Sequence, residues 1–452
     1  MKKNPDVSQE PISQAAPTGF LSTLKQLGPG LIVSASIVGS GELIATTTLG
    51  ASVGLSALWL ITVSCVIKVV VQEELGRYTI SSGDTPFRAL DRIPGPRWRV
   101  SWVVWCWMLM FVGVIFQQGG IVGGVGQVFH LAFPQLSVDF WAAIMASILA
   151  VILLWGGHYG RIEKISSTMV VSFTLITIAC AILLSWTPHR ISFQEVIDGF
   201  KFQLPVGGLE VAFAVFGITG VGATELIYYP YWCLEKGYAR FVGPKTDSDD
   251  WSEKARGWIR VMKIDTIVAM FVYTSATVAF YILGARILYG MGTIPAGYDM
   301  VRTLSSIYTS TLGPWAFYLF LLGAFFVLYS TNFSATASNS RVLVDFLELA
   351  GVAEIKNQQQ RSRWRGIVVV SLLSIYTILH AMVEQPVFMV ILGGMAQACM
   401  LPVVGFSTIY LRYKRLDSSI RPGVITDILL WLCSSLMLFF ALYTIGARVG
   451  LF

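Results

Sequence analysis

Gly39-Ser40-Gly41-Glu42 stands in the middle of an otherwise apolar run, residues 31–60, at the depth where a membrane helix is most hydrophobic. Two glycines around a serine make a poor helix interior, and the carboxylate that follows is expensive in hydrocarbon. At membrane depth, backbone that leaves the helix is tolerated only where it is buried in protein or lines a cavity. A second interruption of the same kind falls at residues 220–230, again with one carboxylate, Glu225. Paired interrupted helices in the two halves of a chain are the best sequence pointer to a transporter's central site.

Outward from these breaks, the composition agrees. The chain has 452 residues, 55% apolar and 13% charged, against about 25% charged in soluble domains. Runs able to cross a ~30 Å hydrocarbon core are expected at 28–52, 56–80, 101–129, 138–156, 163–186, 207–234, 262–288, 313–342, 366–384, 387–411 and 425–447. The chain therefore reads as an all-α polytopic membrane protein. Residues 1–24, polar and rich in Pro, Ser and Gln, are expected to form a disordered cytoplasmic tail, and residues 25–452 a single transmembrane domain.

Breaks in the first and sixth of eleven spans imply two repeats of five helices, over about 25–190 and 205–412, and an eleventh helix at about 425–447. Five is odd, so the second repeat enters the membrane from the opposite side and the repeats are inverted. With the N-terminus inside, 25 of the 32 Lys and Arg fall in the inner tail and loops and five fall outside. That bias predicts a cytoplasmic N-terminus and an external C-terminus, in a bacterial inner membrane.

Several function classes drop out. A phosphate-binding G-x-x-x-x-G-K-[ST] motif is absent from the sequence, so ATP-driven transport by this chain is not expected. An arginine ladder of the voltage-sensing kind is also absent. The six cysteines form no C-x-x-C pair, which removes a zinc site or disulfide frame. The net charge of +6 is spread over short loops, so no nucleic-acid partner, cofactor or enzymatic activity is expected. The bilayer is the evident partner, and a monomer is compatible with this architecture.

The run Gly28-Pro29-Gly30-Leu-Ile-Val-Ser34, with Leu58-Trp59 and Gln72-Glu-Glu-Leu-Gly-Arg77, resembles the Nramp family of divalent-metal transporters. The likeness is strongest over residues 28–90 and becomes one of general layout beyond them. It implies a LeuT-type fold and import of Mn²⁺ or Fe²⁺ with protons. The family's metal-binding motifs are replaced, however. Its first-span Asp-Pro-Gly-Asn is here Gly39-Ser40-Gly41-Glu42. Its sixth-span Met-Pro-His has no clean counterpart in Gly222-Ala223-Thr224-Glu225-Leu226-Ile227-Tyr228-Tyr229-Pro230. Where the family has third-span acids, this chain offers Gln117 and Gln118, and Gln397 falls near a family glutamine in the tenth span.

If the breaks face each other, Glu42 and Glu225 converge with unwound carbonyls, and Ser40, Ala223, Thr224, Tyr228, Tyr229 and Gln397 flank them. An all-oxygen set of this kind suits a hard dication such as Mg²⁺, Ca²⁺ or Mn²⁺, with Glu42 and Glu225 as its ligands. Carboxylates beside Tyr228, Tyr229 and Trp232 suit a small organic cation or polar metabolite equally. In a third reading one glutamate is a proton carrier. Glu73, Glu74 and Arg77 at the end of the second span read as an ion-pair cluster or inner-gate latch. Lys68 shows no partner and is expected to snorkel, while Gly119, Gly120, Gly123, Gly124 and Gly126 permit close helix packing.

The expected activity is secondary transport of a cation by alternating access, with a receptor on the same scaffold as a more distant alternative.

Overall fold

The computed structural model describes residues 13–156, 158–186, 190–203 and 208–449. The first span starts at Pro29, where the fixed φ suits a first helical position and the missing N–H costs nothing. Its first half, Pro29–Ile37, ends at Val38 and Gly39. The chain then resumes as a π-helical turn, Ser40–Thr46, and an α-helix, Thr47–Val53. The break therefore lies at the leading edge of the Gly-Ser-Gly-Glu stretch, and Glu42 sits in the first turn of the second half.

The sixth span behaves alike. Leu209–Ile218 is followed by residues 219–222 outside any helix, with Gly220 at φ +64°, and then by Ala223–Lys236. Pro230 lies inside this second half, so the glycines and not the proline make the break.

Among the described residues ten helical segments, the broken sixth span counted as one, are long and apolar enough to cross a membrane. The first of them, Gly41–Ser82, turns at Gly54, where φ is +62°. It thus holds the second half of one span and the whole of the next, Leu58–Ser82. With Pro29–Ile37 this gives the eleven expected spans. The others are Trp102–Ala132, Val138–Gly156, Tyr159–Leu183, the broken sixth, Asp249–Leu283, Ala316–Leu349, Gln358–Val383, Pro386–Lys414 and Val424–Val449. Of the tail expected over 1–24, residues 1–12 lie outside the described residues. Beyond them, the Gln14 amide donates to the Phe241 carbonyl at 3.0 Å and its own carbonyl accepts from Trp258 Nε1 at 2.8 Å.

Small residues set the packing. The third and tenth spans lie so close that a Cβ on Gly393 would be 2.5 Å from the Gln117 Cβ. On Gly120 it would be 2.7 Å from the Pro386 carbonyl oxygen. A side chain at either position would force the helices apart, as the glycine run anticipated. The eighth span is buried at every position from Ser330 to Ser340 although most of these residues are polar. Its hydroxyls and amides serve as the lining against the first, fifth and sixth spans.

Candidate functional site

Both broken spans resume in the same way. Gly39 precedes one second half, with Glu42 three residues on, and Gly222 caps the other, with Glu225 three residues on. Each carboxylate thus lies in the first turn of a half-helix, where free amides and the positive end of the macrodipole favour an anion.

Around Glu225 the polar groups form a chain across four spans. Ser36 Oγ donates to Glu225 Oε1 at 3.2 Å, and Thr224 Oγ1 lies 2.7 Å from Oε2. Gln397 Oε1 accepts from the Thr224 amide at 3.2 Å and from its hydroxyl at 2.8 Å. Gln397 Nε2 then donates to Gln117 Oε1 at 2.9 Å. All these side chains are buried. The structure therefore brings together Thr224, Glu225, Gln397 and Gln117. It adds Ser36, which sequence reasoning passed over as one hydroxyl in an apolar helix. Gln118 is not part of this chain, its buried Oε1 having no hydrogen-bond partner among the described residues.

Glu42 is fully buried and held from the seventh span, where Thr277 Oγ1 donates to its Oε1 at 2.9 Å. Among the described residues its Oε2 has no hydrogen-bond partner. A buried carboxylate oxygen without a hydrogen-bond partner leaves a strong acceptor open to a cation. Gly39 is shaped by the eighth span: a Cβ there would lie 1.6 Å from Thr331 Oγ1, which itself donates to the Ala35 carbonyl at 3.0 Å. Gly41 abuts Ile218 without a clash, and Ala223 is fully buried at the head of its half-helix. The side chain of Ser40 lies outside the described residues.

Lys68 corrects the expectation of snorkelling. Its side chain is fully buried, and Nζ donates to the carbonyls of Phe216 at 2.7 Å and Thr219 at 2.5 Å. Phe216 lies in the last turn of the first half of the sixth span and Thr219 caps it at the start of the break, so their carbonyls are unpaired within that half-helix and at the negative end of its dipole. Ser64 Oγ lies 3.1 and 3.3 Å from the same two oxygens. The ammonium is within electrostatic reach of both Glu42 and Glu225. Both glutamates therefore act electrostatically on a lysine of the second span.

The polar atoms of the aromatic residues are engaged by the seventh and eighth spans. Tyr229 OH donates to Asp265 Oδ2 at 3.0 Å, and Trp232 Nε1 to Ser338 Oγ at 3.1 Å. Tyr228 OH donates to Asn339 Oδ1. The guanidinium of Arg341 already covers the Trp232 ring, 4.3 Å from its centroid. Asp265 also accepts from the amides of Gly28 at 2.9 Å and Gly30 at 2.7 Å, fastening the start of the first span to the seventh.

At the far end of the second span Arg77 Nε meets Glu74 Oε1 at 3.0 Å and its NH1 donates to the Ile420 carbonyl at 3.2 Å. Glu73 pairs with Lys263 at 3.2 Å. Among the described residues no group of three His, Cys, Asp or Glu is placed to hold a metal ion.

With this geometry in view, a family model described as natural resistance-associated macrophage protein-like matches residues 30–447. The chain is similar to the divalent metal cation transporter MntH 1 of Pseudomonas aeruginosa, 23% identical over 77% of this chain and 74% of that protein. Its fold is that of a manganese transporter of Eremococcus coleocola, with a TM-score of 0.71, 15% identity, and 98% and 91% of the two chains covered. It also resembles Mhp1, a nucleobase-cation-symport-1 family transporter, with a TM-score of 0.56, 15% identity, and 98% and 93% covered.

Proposed function

Because this chain belongs to the Nramp family across nearly its whole length, we propose that it is a secondary transporter that carries a hard divalent cation of the Mn²⁺ or Mg²⁺ type by alternating access. The observation that carries the reading is the pair of buried glutamates heading the second halves of the two broken spans, one with an orphaned oxygen. The cargo's ligands in this reading are Glu42, Glu225, neighbouring hydroxyls and carbonyls freed at the breaks. Such a set of hard oxygens selects by charge and coordination number and provides no soft sulfur. Either glutamate can carry a proton when cargo is absent, which would tie uptake to pH.

A small organic cation fits less well. Its recognition would use ring faces, but Tyr228, Tyr229 and Trp232 are bonded into the seventh and eighth spans and one ring face is taken by Arg341. The loop-charge bias supports a cytoplasmic N-terminus in the plasma membrane.

The test is uptake of Mn²⁺, Mg²⁺ and Ca²⁺ into proteoliposomes. Saturable uptake of at least one, lost in Glu42→Gln and Glu225→Gln and weakened in Gln397→Leu, is the expected result. If no metal is taken up by folded protein, the metal reading falls and organic cations become the cargo to test.

A further inference from the structure

Lys68 has no part in the proposed cargo site, yet it is a fully buried cation fixed at a helix break. Its ammonium is fully buried on the two carbonyls that close the first half of the sixth span. Ser64 Oγ stands beside the same carbonyls, and Thr219 Oγ1 lies 3.3 Å from Thr46 Oγ1 across the two breaks. The place thus holds two carbonyl oxygens on one positive charge with hydroxyls beside them, and Glu42 acts on that charge electrostatically. Unwound carbonyls and half-helix C-termini are what transporters of this architecture use to coordinate a small coupling cation. Here the charge arrives on a side chain.

We propose that Lys68 is a tethered co-ion: its ammonium fills, at the break of the sixth span, the place that a free monovalent cation would otherwise occupy. First, an ammonium is a compact point charge with three donors. Two of them are satisfied by carbonyls that have no intrahelical partner. Second, burial without compensation would be prohibitive for a lysine, and the compensation present is the oxygen set a monovalent ion would use. Third, a charge anchored to the second span cannot be exchanged with solvent. The protein then needs no sodium to assemble the sixth-span break, and any cargo meets two carboxylates already offset by one fixed positive charge.

This inference does not depend on which cargo is carried, because its test reads stability. Purified protein is melted in choline, sodium and methylammonium chloride at equal ionic strength. Wild type is expected to melt alike in all three. Lys68→Ala removes the charge and opens space, so it should melt lower in choline. It should then regain stability saturably in sodium or methylammonium, as mass action requires of a ligand that binds only the folded state.

Lys68→Met, neutral and of similar volume, should melt lower than wild type in choline. Should Lys68→Ala fail to fold, Lys68→Ala combined with Glu225→Gln restores the charge balance and is expected to fold in choline. A Lys68→Met variant as stable as wild type would overturn the proposal, since the charge would then be irrelevant. So would sodium-specific stabilisation of wild type, which would reveal a separate co-ion site. A Lys68→Ala variant indifferent to all three salts, or a double variant that neither folds nor responds to added cation, would overturn it as well.

Discussion

Replacing Asp265 by alanine tests what holds the first half of the first span in place. The carboxylate accepts from the Gly28 amide at 2.9 Å, the Gly30 amide at 2.7 Å and the Tyr229 hydroxyl at 3.0 Å. Gly28 and Gly30 are buried, and the amides at a helix start have no intrahelical partner. In Asp265→Ala both amides lose their acceptor, at about 1–3 kcal/mol for each buried unpaired group. Loss of a negative charge at the helix start adds about 0.3–1 kcal/mol. A conservative total of about 3 kcal/mol raises the population in which Pro29–Ile37 has come away by roughly 150-fold, since 1.36 kcal/mol is a factor of ten.

The assay is hydrogen–deuterium exchange by mass spectrometry in nanodiscs, following the peptide over residues 28–37 with the third span as an internal control. Exchange should accelerate by about two orders of magnitude in that peptide and stay unchanged in the control. Equal exchange in variant and wild type would refute the reasoning. Asp265 would then be satisfied by the half-helix without holding it.

Two further outcomes follow from the geometry. Gly39→Asp restores the residue the family carries at this position, but its Cβ would sit 1.6 Å from Thr331 Oγ1. It should lower stability by about 1–3 kcal/mol, the usual cost of overpacking, and Thr331→Gly, which also removes the Thr331 Cβ lying 2.6 Å away, should recover much of that in a thermal-melt double-mutant cycle; additive losses would refute the clash. In the loops, a hydrogen bond from the Lys245 ammonium, helped by the Ser419 amide, holds the Asp417 carboxyl down to about 2. A depressed acid contributes stability above its unfolded value, about 3.9, and loses it only as pH falls through about 2. Between pH 5 and 8, Asp417→Asn should therefore leave the pH profile of uptake unchanged, and a shifted profile would contradict the assignment.

How much of this was legible beforehand depended on where the partners lie. Both helix breaks could be read, because glycine and serine in an apolar run contradict helix propensity within a few residues. The third-span glycines could be read for the same local reason. Lys68 could not. Its partners are backbone carbonyls 148 and 151 residues away, and a carbonyl leaves no mark on the residue type that bears it. Asp265 was invisible on the same grounds, since it binds amides more than 230 residues distant. The tyrosines after Glu225 were recognisable as polar handles, but the side of the helix they face depends on the rotation of Ala223–Lys236 after the break. The polar run of the eighth span was present in the sequence as Ser330-Thr331-Asn332 to Ser338-Asn339-Ser340, a signal as plain as the breaks. Its use as a lining became apparent only with its neighbours in place.

That run also bears on how the protein is made. A segment whose buried stretch carries so many hydroxyls and amides enters hydrocarbon less readily than its neighbours. Three of its polar groups find their partners on earlier spans, Thr331 on Ala35, Ser334 on Ser166 and Ser338 on Trp232. Those spans leave the ribosome first. The first, fifth and sixth helices are then a template that receives the eighth during synthesis, and the order of genes' translation into helices becomes part of the order of assembly.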